Sequence, residues 1–322
     1  SGTGVVTVTA PNTSTDRTIT LPDATDTLIG TATTDALTTR VNGAGGRKNA
    51  LINGDMQVSQ RGDYTTATAY ANNGYYLDRW KVGATRDGTV QDLGTSAKYV
   101  ATGATATAYI EVQQYIEDWE YYKGKTITVS AYITSNTTNA KLYIYDGVAS
   151  QYMGSHTGDG TKQFISGTIT VSSSATELRP ILSISSASAS AVSIAAGEYI
   201  EFTDVQVELG SVATDFEHRS YGEELALCQR YYQAVEGASG GYEWDGLYAN
   251  GAGAGLGINF PFPVEMRASP TLTTLYNDTS NVATQQNSVT KQGVYIGGQC
   301  SSDGRTAMKK NSSGYVRFNA EL

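Results

Sequence analysis

Cysteine and histidine are nearly missing from the 322-residue chain, with 2 of each. Cys228 and Cys300 make one pair at most, so no disulfide framework is implied, and no Cys/His cluster has the spacing of a zinc site. His156 and His218 are too few and too isolated for a nucleophile–His–acid reading, and no Gly-x-Ser-x-Gly elbow or His-Glu-x-x-His helix occurs. Charge is sparse as well, at 16% of residues, and its balance is negative, formally -9. With no basic patch, a protein that tracks a nucleic-acid backbone is excluded, because such binding needs cations to displace phosphate counterions. No apolar run of about 18 residues is present, and the start lacks a charged region followed by an apolar stretch. No membrane insertion and no signal peptide are therefore expected.

Aromatic residues are missing from residues 1–46, where the large aliphatics are few. That segment cannot bury a core alone. It nevertheless alternates like strand in Val6-Thr7-Val8-Thr9 and Thr18-Ile19-Thr20-Leu21, punctuated by Pro11-Asn12 and Pro22-Asp23. Three copies sharing one core would resolve the conflict; a Thr-rich tether is the other reading.

Beyond Gly45-Gly46-Arg47 the composition changes. Glycine (35 residues) and Ser, Thr and Asn turns separate short alternating runs, the rhythm of an all-β sandwich or jelly roll. The clearest strands are residues 126–134, 141–146, 167–172, 181–185 and 199–208. Ser220 and Glu223 form a capping box, which predicts a helix over 223–233 with Tyr221, Leu225, Cys228 and Tyr232 on one stripe. After it, strands are expected at 255–260, 271–276, 293–297 and 314–318. The organisation is thus a shaft or trimerisation segment (1–46), a jelly roll (47–220), and a helix with a small C-terminal β tip domain (221–322).

Tyrosine is the one abundant aromatic, 22 residues against 6 Phe. A ring with a polar tip suits sugar or protein contacts, and equally lines half-buried sheet faces. In 126–134, Ile127, Val129, Ala131 and Ile133 share one face and Tyr132 takes the other; in 141–146, Tyr143 and Tyr145 oppose Leu142 and Ile144. If these strands are neighbours, Tyr132, Tyr143 and Tyr145 form a polar-aromatic platform of the kind that stacks on sugar C–H faces. Tyr152 joins the candidates. So does the cluster Tyr115, Glu117, Asp118, Trp119, Tyr121 and Tyr122, although Trp119 also suits a core plug. Tyr242, Trp244 and Tyr248 in the tip compete for the same role.

Residues 6–28, VTVTAPNTSTDRTITLPDATDTL, resemble segments of phage tail-fibre and appendage proteins, where they form interwoven trimeric shafts. Residues 49–62 (NALINGDMQVSQRG), 76–80 (YLDRW), 202–210 (FTDVQVELG) and 213–220 (ATDFEHRS) resemble the two ends of phage-associated carbohydrate-binding-like jelly rolls. Residues 262–270 (FPVEMRASP) resemble a segment that follows the helix in phage fibres.

The resemblance implies a homotrimeric tail fibre of the virion, extracellular when acting, whose partners are host cell-surface glycans and other virion tail proteins. It also implies a structural calcium between the first and last jelly-roll strands, at Asp55 and Asp204. The alternative for these two is that Asp55 caps a turn and Asp204 pairs with an arginine. No catalytic role is expected. Glu117 with Glu120, or Glu223 with Glu224, would be the carboxylates of a depolymerase, but nothing in the sequence makes either pair converge. The remaining reading is a virion connector or decoration protein that binds no sugar.

Overall fold

The computed structural model describes residues 48–186, 190–236, 242–249, 252, 255–273, 276–280, 282–300, 304–310 and 315–321. The expected shaft, residues 1–46, lies outside the described residues. In chain order the first strands are β1 Thr68–Ala69, β2 Lys81–Ala84, β3 Gly88–Asp92, β4 Ala97–Ala101, β5 Thr105–Ala108 and β6 Ile110–Gln113. There follow β7 Thr126–Ser135, β8 Ala140–Tyr145, β9 Ser150–Ser155, β10 Lys162–Thr170, β11 Arg179–Ile184, β12 Val192–Ile194 and β13 Tyr199–Leu209.

These strands build a jelly-roll sandwich. One sheet has the order β1-β3-β4-β13-β7-β10 and the other β2-β6-β11-β8-β9, with β5 and β12 as a separate pair. The paired strands are antiparallel throughout, so each contributes alternate residues to the space between the sheets. Ile127, Val129, Ala131 and Ile133 of β7 are fully buried there, as their alternation predicts, and so are Leu142 and Ile144 of β8. Trp80 and Phe202 meet at 5.6 Å and Phe202 stacks on Tyr99 at 5.8 Å, filling the centre of one continuous core. Full burial of such side chains contributes roughly 1.5–3 kcal/mol each.

The stretches with recognisable sequence turn out to close this sandwich. Asn53, wholly buried at φ 58°, donates through Nδ2 to the carbonyls of Val58 (2.9 Å) and Asp78 (3.0 Å). Its Oδ1 accepts from Val58 N–H at 2.9 Å. The Trp80 indole donates to the Asn53 carbonyl at 2.8 Å. Asn49 Nδ2 donates to Val205 O (3.0 Å) while its Oδ1 accepts from Leu51 N and Val207 N. Gly54 passes so close to β13 that an added Cβ would lie 2.4 Å from Val205 O, which explains the glycine. Arg219 then ties the end to the beginning, donating to the carbonyls of Leu51 (2.8 Å) and Asn49 (2.7 Å).

The helix, α1, covers Tyr221–Gln229, with Ser220 Oγ accepting from Glu223 N–H at 3.3 Å. It ends earlier than the 223–233 expectation. The Arg230 carbonyl accepts from Arg267 N–H (2.8 Å) and that of Tyr231 from Ala320 N–H (2.7 Å), so strand pairing takes the groups a longer helix would use. The buried side is Glu224, Leu227 and Cys228, whereas Tyr221 is exposed.

The C-terminal strands are β14 Tyr232–Glu236, β15 Tyr242–Ala249, β16 Gly255–Pro261, β17 Thr271–Thr273, β18 Tyr276–Ser280, β19 Val282–Val289, β20 Gly293–Cys300, β21 Gly304–Lys310 and β22 Tyr315–Asn319. They form three three-stranded sheets, β14-β22-β17, β15-β21-β18 and β16-β20-β19. The polar strands β18, β19 and β21 have no sustained apolar alternation to mark them, and the sequence reading assigned no strand at β15 either.

Candidate functional site

The pairing registers of the five-stranded sheet define what its outer face carries. Arg179 lies opposite Tyr145, which lies opposite Ser150; Lys81, Gln113, Ile181, Tyr143 and Tyr152 form the next row. Gly83, Glu111, Ser183, Lys141 and Ser155 form the third. Tyr115 follows Gln113 by two residues and closes the first row, its hydroxyl 3.0 Å from Arg179 Nη1. The result is a polar-aromatic surface backed directly by the aliphatic core.

Arg179 organises the surface. Its Nη1 donates to Gln113 Oε1 at 2.6 Å as well as to Tyr115, and its guanidinium sits 5.1 Å from the Tyr115 ring centroid and 4.7 Å from that of Tyr145. Nη2 faces Glu177 Oε1 at 3.6 Å, and Nε is buried without a hydrogen-bond partner. Lys81 Nζ lies 5.8 Å from the Tyr115 centroid. Burial pushes the Glu111 carboxyl above its ordinary value, with Arg179 opposing the shift. Burial also lowers the Lys141 ammonium, whose Nζ donates to Thr138 O at 3.0 Å.

Of the four tyrosines here, Tyr152 is 46% exposed, Tyr115 and Tyr145 are half-buried, and Tyr143 is buried. Tyr143 packs on Tyr152 at 5.8 Å and its hydroxyl donates to Ser186 O, so it supports its neighbour more than it presents itself. Tyr132 is elsewhere. Strands β7 and β8 are consecutive yet belong to opposite sheets, which puts Tyr132 on the outer face of the six-stranded sheet beside Phe164 (5.2 Å) and under Lys162 Nζ (4.5 Å). The three-tyrosine platform of Tyr132, Tyr143 and Tyr145 therefore does not form; Tyr115 and Tyr152 take the missing place. Arg179, Gln113, Glu111 and Lys81 escaped the sequence reading because they are scattered over about a hundred residues and meet only through strand register.

The remaining candidates are placed as follows. Trp119 lies on a short 3-10 turn, Trp119–Tyr122, packed against the core with Lys123 Nζ 4.7 Å from its ring. Tyr242, Trp244 and Tyr248 all lie on β15, in a different sheet from Tyr145. Glu117 is bound at its two oxygens by Arg230 (2.9 and 3.1 Å), accepts from the Tyr231 hydroxyl at 2.5 Å and has Arg267 at 3.9 Å. Burial pushes its carboxyl up, but these hydrogen bonds and charges outweigh burial and leave it below the usual range. Glu224 is likewise engaged, by Arg219 and by the Asn53 amide. Both acids thus tie the sandwich to the C-terminal part. A cavity of about 190 Å³ lies at that seam, lined by Arg79, Gln114, Glu117, Arg219 and Tyr231 among others.

His156 is a loop fastener: Nδ1 accepts from Gly158 N–H at 2.8 Å, so Nε2 carries the proton and donates to Thr161 O at 2.7 Å. His218 packs edge-on against Phe216 at 5.0 Å.

Around the two candidate calcium ligands, Val205 N–H donates to Gly54 O at 2.9 Å, which makes the segments of Asp55 and Asp204 neighbours. Asp55 is 7% exposed; Oδ2 accepts from Gln57 and Oδ1 is buried with no partner. Asp204 sits at φ 52° where the register of β13 against β7 shifts, a conformation unusual for a non-glycine residue. The orphaned Asp55 oxygen fits a cation. Among the described residues no three His, Cys, Asp or Glu side chains cluster. A calcium here would accordingly draw most of its six to eight oxygens from backbone carbonyls and water.

No family model matches the sequence, and no curated protein matches it. Among solved structures the chain is similar to a carbohydrate-binding module described as "CBM4 structure and function", at 18% identity and TM-score 0.29, covering 49% of this chain and 98% of that one. It is similar to the CBM22-1 xylan-binding domain of Xyn10C from Paenibacillus barcinonensis, at 12% identity and TM-score 0.29, over 47% of this chain and 99% of that one. It is also similar to the enzymatically active domain of bacteriophage CBA120 tailspike protein 4, at 18% identity and TM-score 0.30, over 50% of this chain but only 21% of that one. TM-scores this low leave the functional reading to the geometry of the face itself.

Proposed function

We propose that this protein is the receptor-facing part of a phage tail fibre, which adheres to host cell-surface glycans through the outer face of the five-stranded sheet. The observation that carries the reading is the row Tyr115–Arg179–Tyr145 with Tyr152 alongside. Rings with one accessible face stack on the apolar faces of sugars, while Arg179, Gln113, Glu111 and Lys81 offer hydrogen bonds to hydroxyls in a fixed array. Adhesion needs no bond to be broken, so the protein acts as a binder and not as an enzyme. The Thr-rich residues 6–28 would join three copies into a homotrimer held to other tail proteins, placing the chain on the virion and outside cells when it acts. Three sites per fibre convert weak sugar contacts into firm attachment by avidity.

The decisive experiment measures binding of the intact protein to a neutral and acidic glycan panel and to host cells, beside Tyr145→Ala and Tyr152→Ala. A loss of about tenfold or more in either variant, about 1.4 kcal/mol, with an unchanged melting temperature for the exposed Tyr152 supports the platform. Unchanged binding moves the site off this face. Binding to no sugar and no cell at all would leave the connector or decoration reading instead. Light scattering tests assembly: the proposal requires a mass near three times 34.1 kDa.

Calcium belongs to the same proposal, held by Asp55 and Asp204 as a structural ion that fastens the first segment to β13. Elemental analysis of the purified protein and melting before and after chelation check it. A metal-free protein whose melting temperature ignores added calcium refutes it.

A further inference from the structure

We infer that the five-stranded face selects sugars bearing carboxylates, a uronic-acid polysaccharide, and that Arg179 is the residue that reads the carboxylate. This rests on the glycan-binding reading above and adds the class of ligand to it.

The argument begins with donors left over. A guanidinium has five N–H donors, and on Arg179 the Nη1 end is occupied by Gln113 and Tyr115. Nε has no partner and is buried, so a ligand reaches it only by displacing what covers it, and Nη2 reaches only Glu177 at 3.6 Å, beyond hydrogen-bond length. The Nε–Nη2 edge is the fork that matches a planar carboxylate, and the flanking Tyr115 and Tyr145 rings hold the plane of the fork. A second cation waits further along. Lys141 is 7% exposed, has one backbone carbonyl as acceptor, and has no carboxylate partner among the described residues. Burying an ammonium without a counter-ion is unfavourable, and an incoming anion would relieve it. Lys141 lies opposite Ser183, four residues along β11 from Arg179, so the backbone positions that carry the two cations are about 13 Å apart along the strand at ~3.3 Å per residue. That spacing suits a polymer with repeated acid groups better than a single charged sugar.

The face also holds Glu111 and Glu177, so it is mixed, three cations with Lys81 against two acids. Burial pushes the Glu111 carboxyl up while Arg179 opposes the shift, and Glu177 is the group an incoming carboxylate would displace from beside Arg179. Because the whole chain carries a formal charge of -9, attraction cannot come from a generally basic surface. It must be short-ranged and centred on these side chains.

The test is calorimetric titration of the intact protein with hexamers of galacturonate, glucuronate and mannuronate, each as the free acid and as its methyl ester, and with neutral hexamers. Esterification removes the charge and keeps the ring. We expect at least one acid to bind about tenfold or more tightly than its ester, the ratio shrinking at high salt. Arg179→Gln should bring the ratio towards one, whereas Phe164→Ala, on the opposite outer face, should leave it. Acid and ester binding alike, or neutral hexamers alone binding, overturns the carboxylate inference while the glycan-binding reading stands. No hexamer binding removes the platform itself, and this inference with it.

Discussion

Truncating Asn53 tests whether the recognisable N-terminal motif of the sandwich is structural. Asn53→Ala deletes three buried hydrogen bonds of 2.9–3.0 Å, leaving the Val58 amide and the Asp78 carbonyl without partners and the Val58 carbonyl with the Asp78 amide alone, at 3.2 Å. Each orphaned buried group costs about 1–3 kcal/mol, and water entering the space recovers part of that, so the two orphaned groups predict a loss of roughly 2–4 kcal/mol. A domain has about 5–15 kcal/mol in total, which makes the variant marginal. The backbone is separable from the side chain. At φ 58° alanine is strained and glycine is not, so Asn53→Gly should be less damaging than Asn53→Ala by about 0.5–1 kcal/mol. Urea denaturation followed by tryptophan fluorescence is the assay, since the Trp80 indole is bonded to the Asn53 carbonyl and reports the same site. A loss below about 1 kcal/mol for Asn53→Ala would falsify the account, because it would mean that the Val58 amide and the Asp78 carbonyl find other partners.

Two further outcomes follow from the charged groups at the seam. Burial pushes the Asp78 carboxyl up to about 7 from an ordinary 3.8, against the pull of Arg61 and the Gln60 hydrogen bonds. Between about pH 4 and 7 the folded chain therefore keeps a proton that the unfolded chain has released, and stability falls as pH rises. Asp78→Asn should flatten that slope by about 1–3 kcal/mol across the window, seen as a smaller difference in melting temperature between pH 5 and pH 8; an unchanged slope rejects the assignment. Glu117 has the opposite sign. Its carboxyl is held low, so its contribution is present above its ordinary value of 4.5 and is lost as pH falls further. Glu117→Gln should cost about 1–2 kcal/mol at pH 7, after discounting for its partial exposure, and progressively less as pH falls below 4.5; a loss that does not change with pH would point to packing alone.

How these parts were legible differs from element to element. Strand β7 could be read from Ile127, Val129, Ala131 and Ile133, because alternation with a period of two is a local property and the burial of one face enforces it. The start of α1 could be read for the same reason, as Ser220 caps an amide three residues away. Its end could not, since Arg267 and Ala320, far along the chain, take the carbonyls of Arg230 and Tyr231.

The candidate site divides along the same line. The amino-acid sequence by itself determined an all-β chain, a tyrosine-rich polar face on β8, and the short segments that later lock together around Asn49, Asn53 and Arg219. Only the tertiary structure decided that β7 and β8 lie in opposite sheets, sending Tyr132 away from Tyr143 and Tyr145. It alone placed Arg179 between Tyr115 and Tyr145, from strands β11 and β8 and the residues just after β6. The physical reason is that side-chain alternation says which residues of one strand share a face, whereas the partner of that strand is chosen by hydrogen bonding and core packing across the whole sandwich.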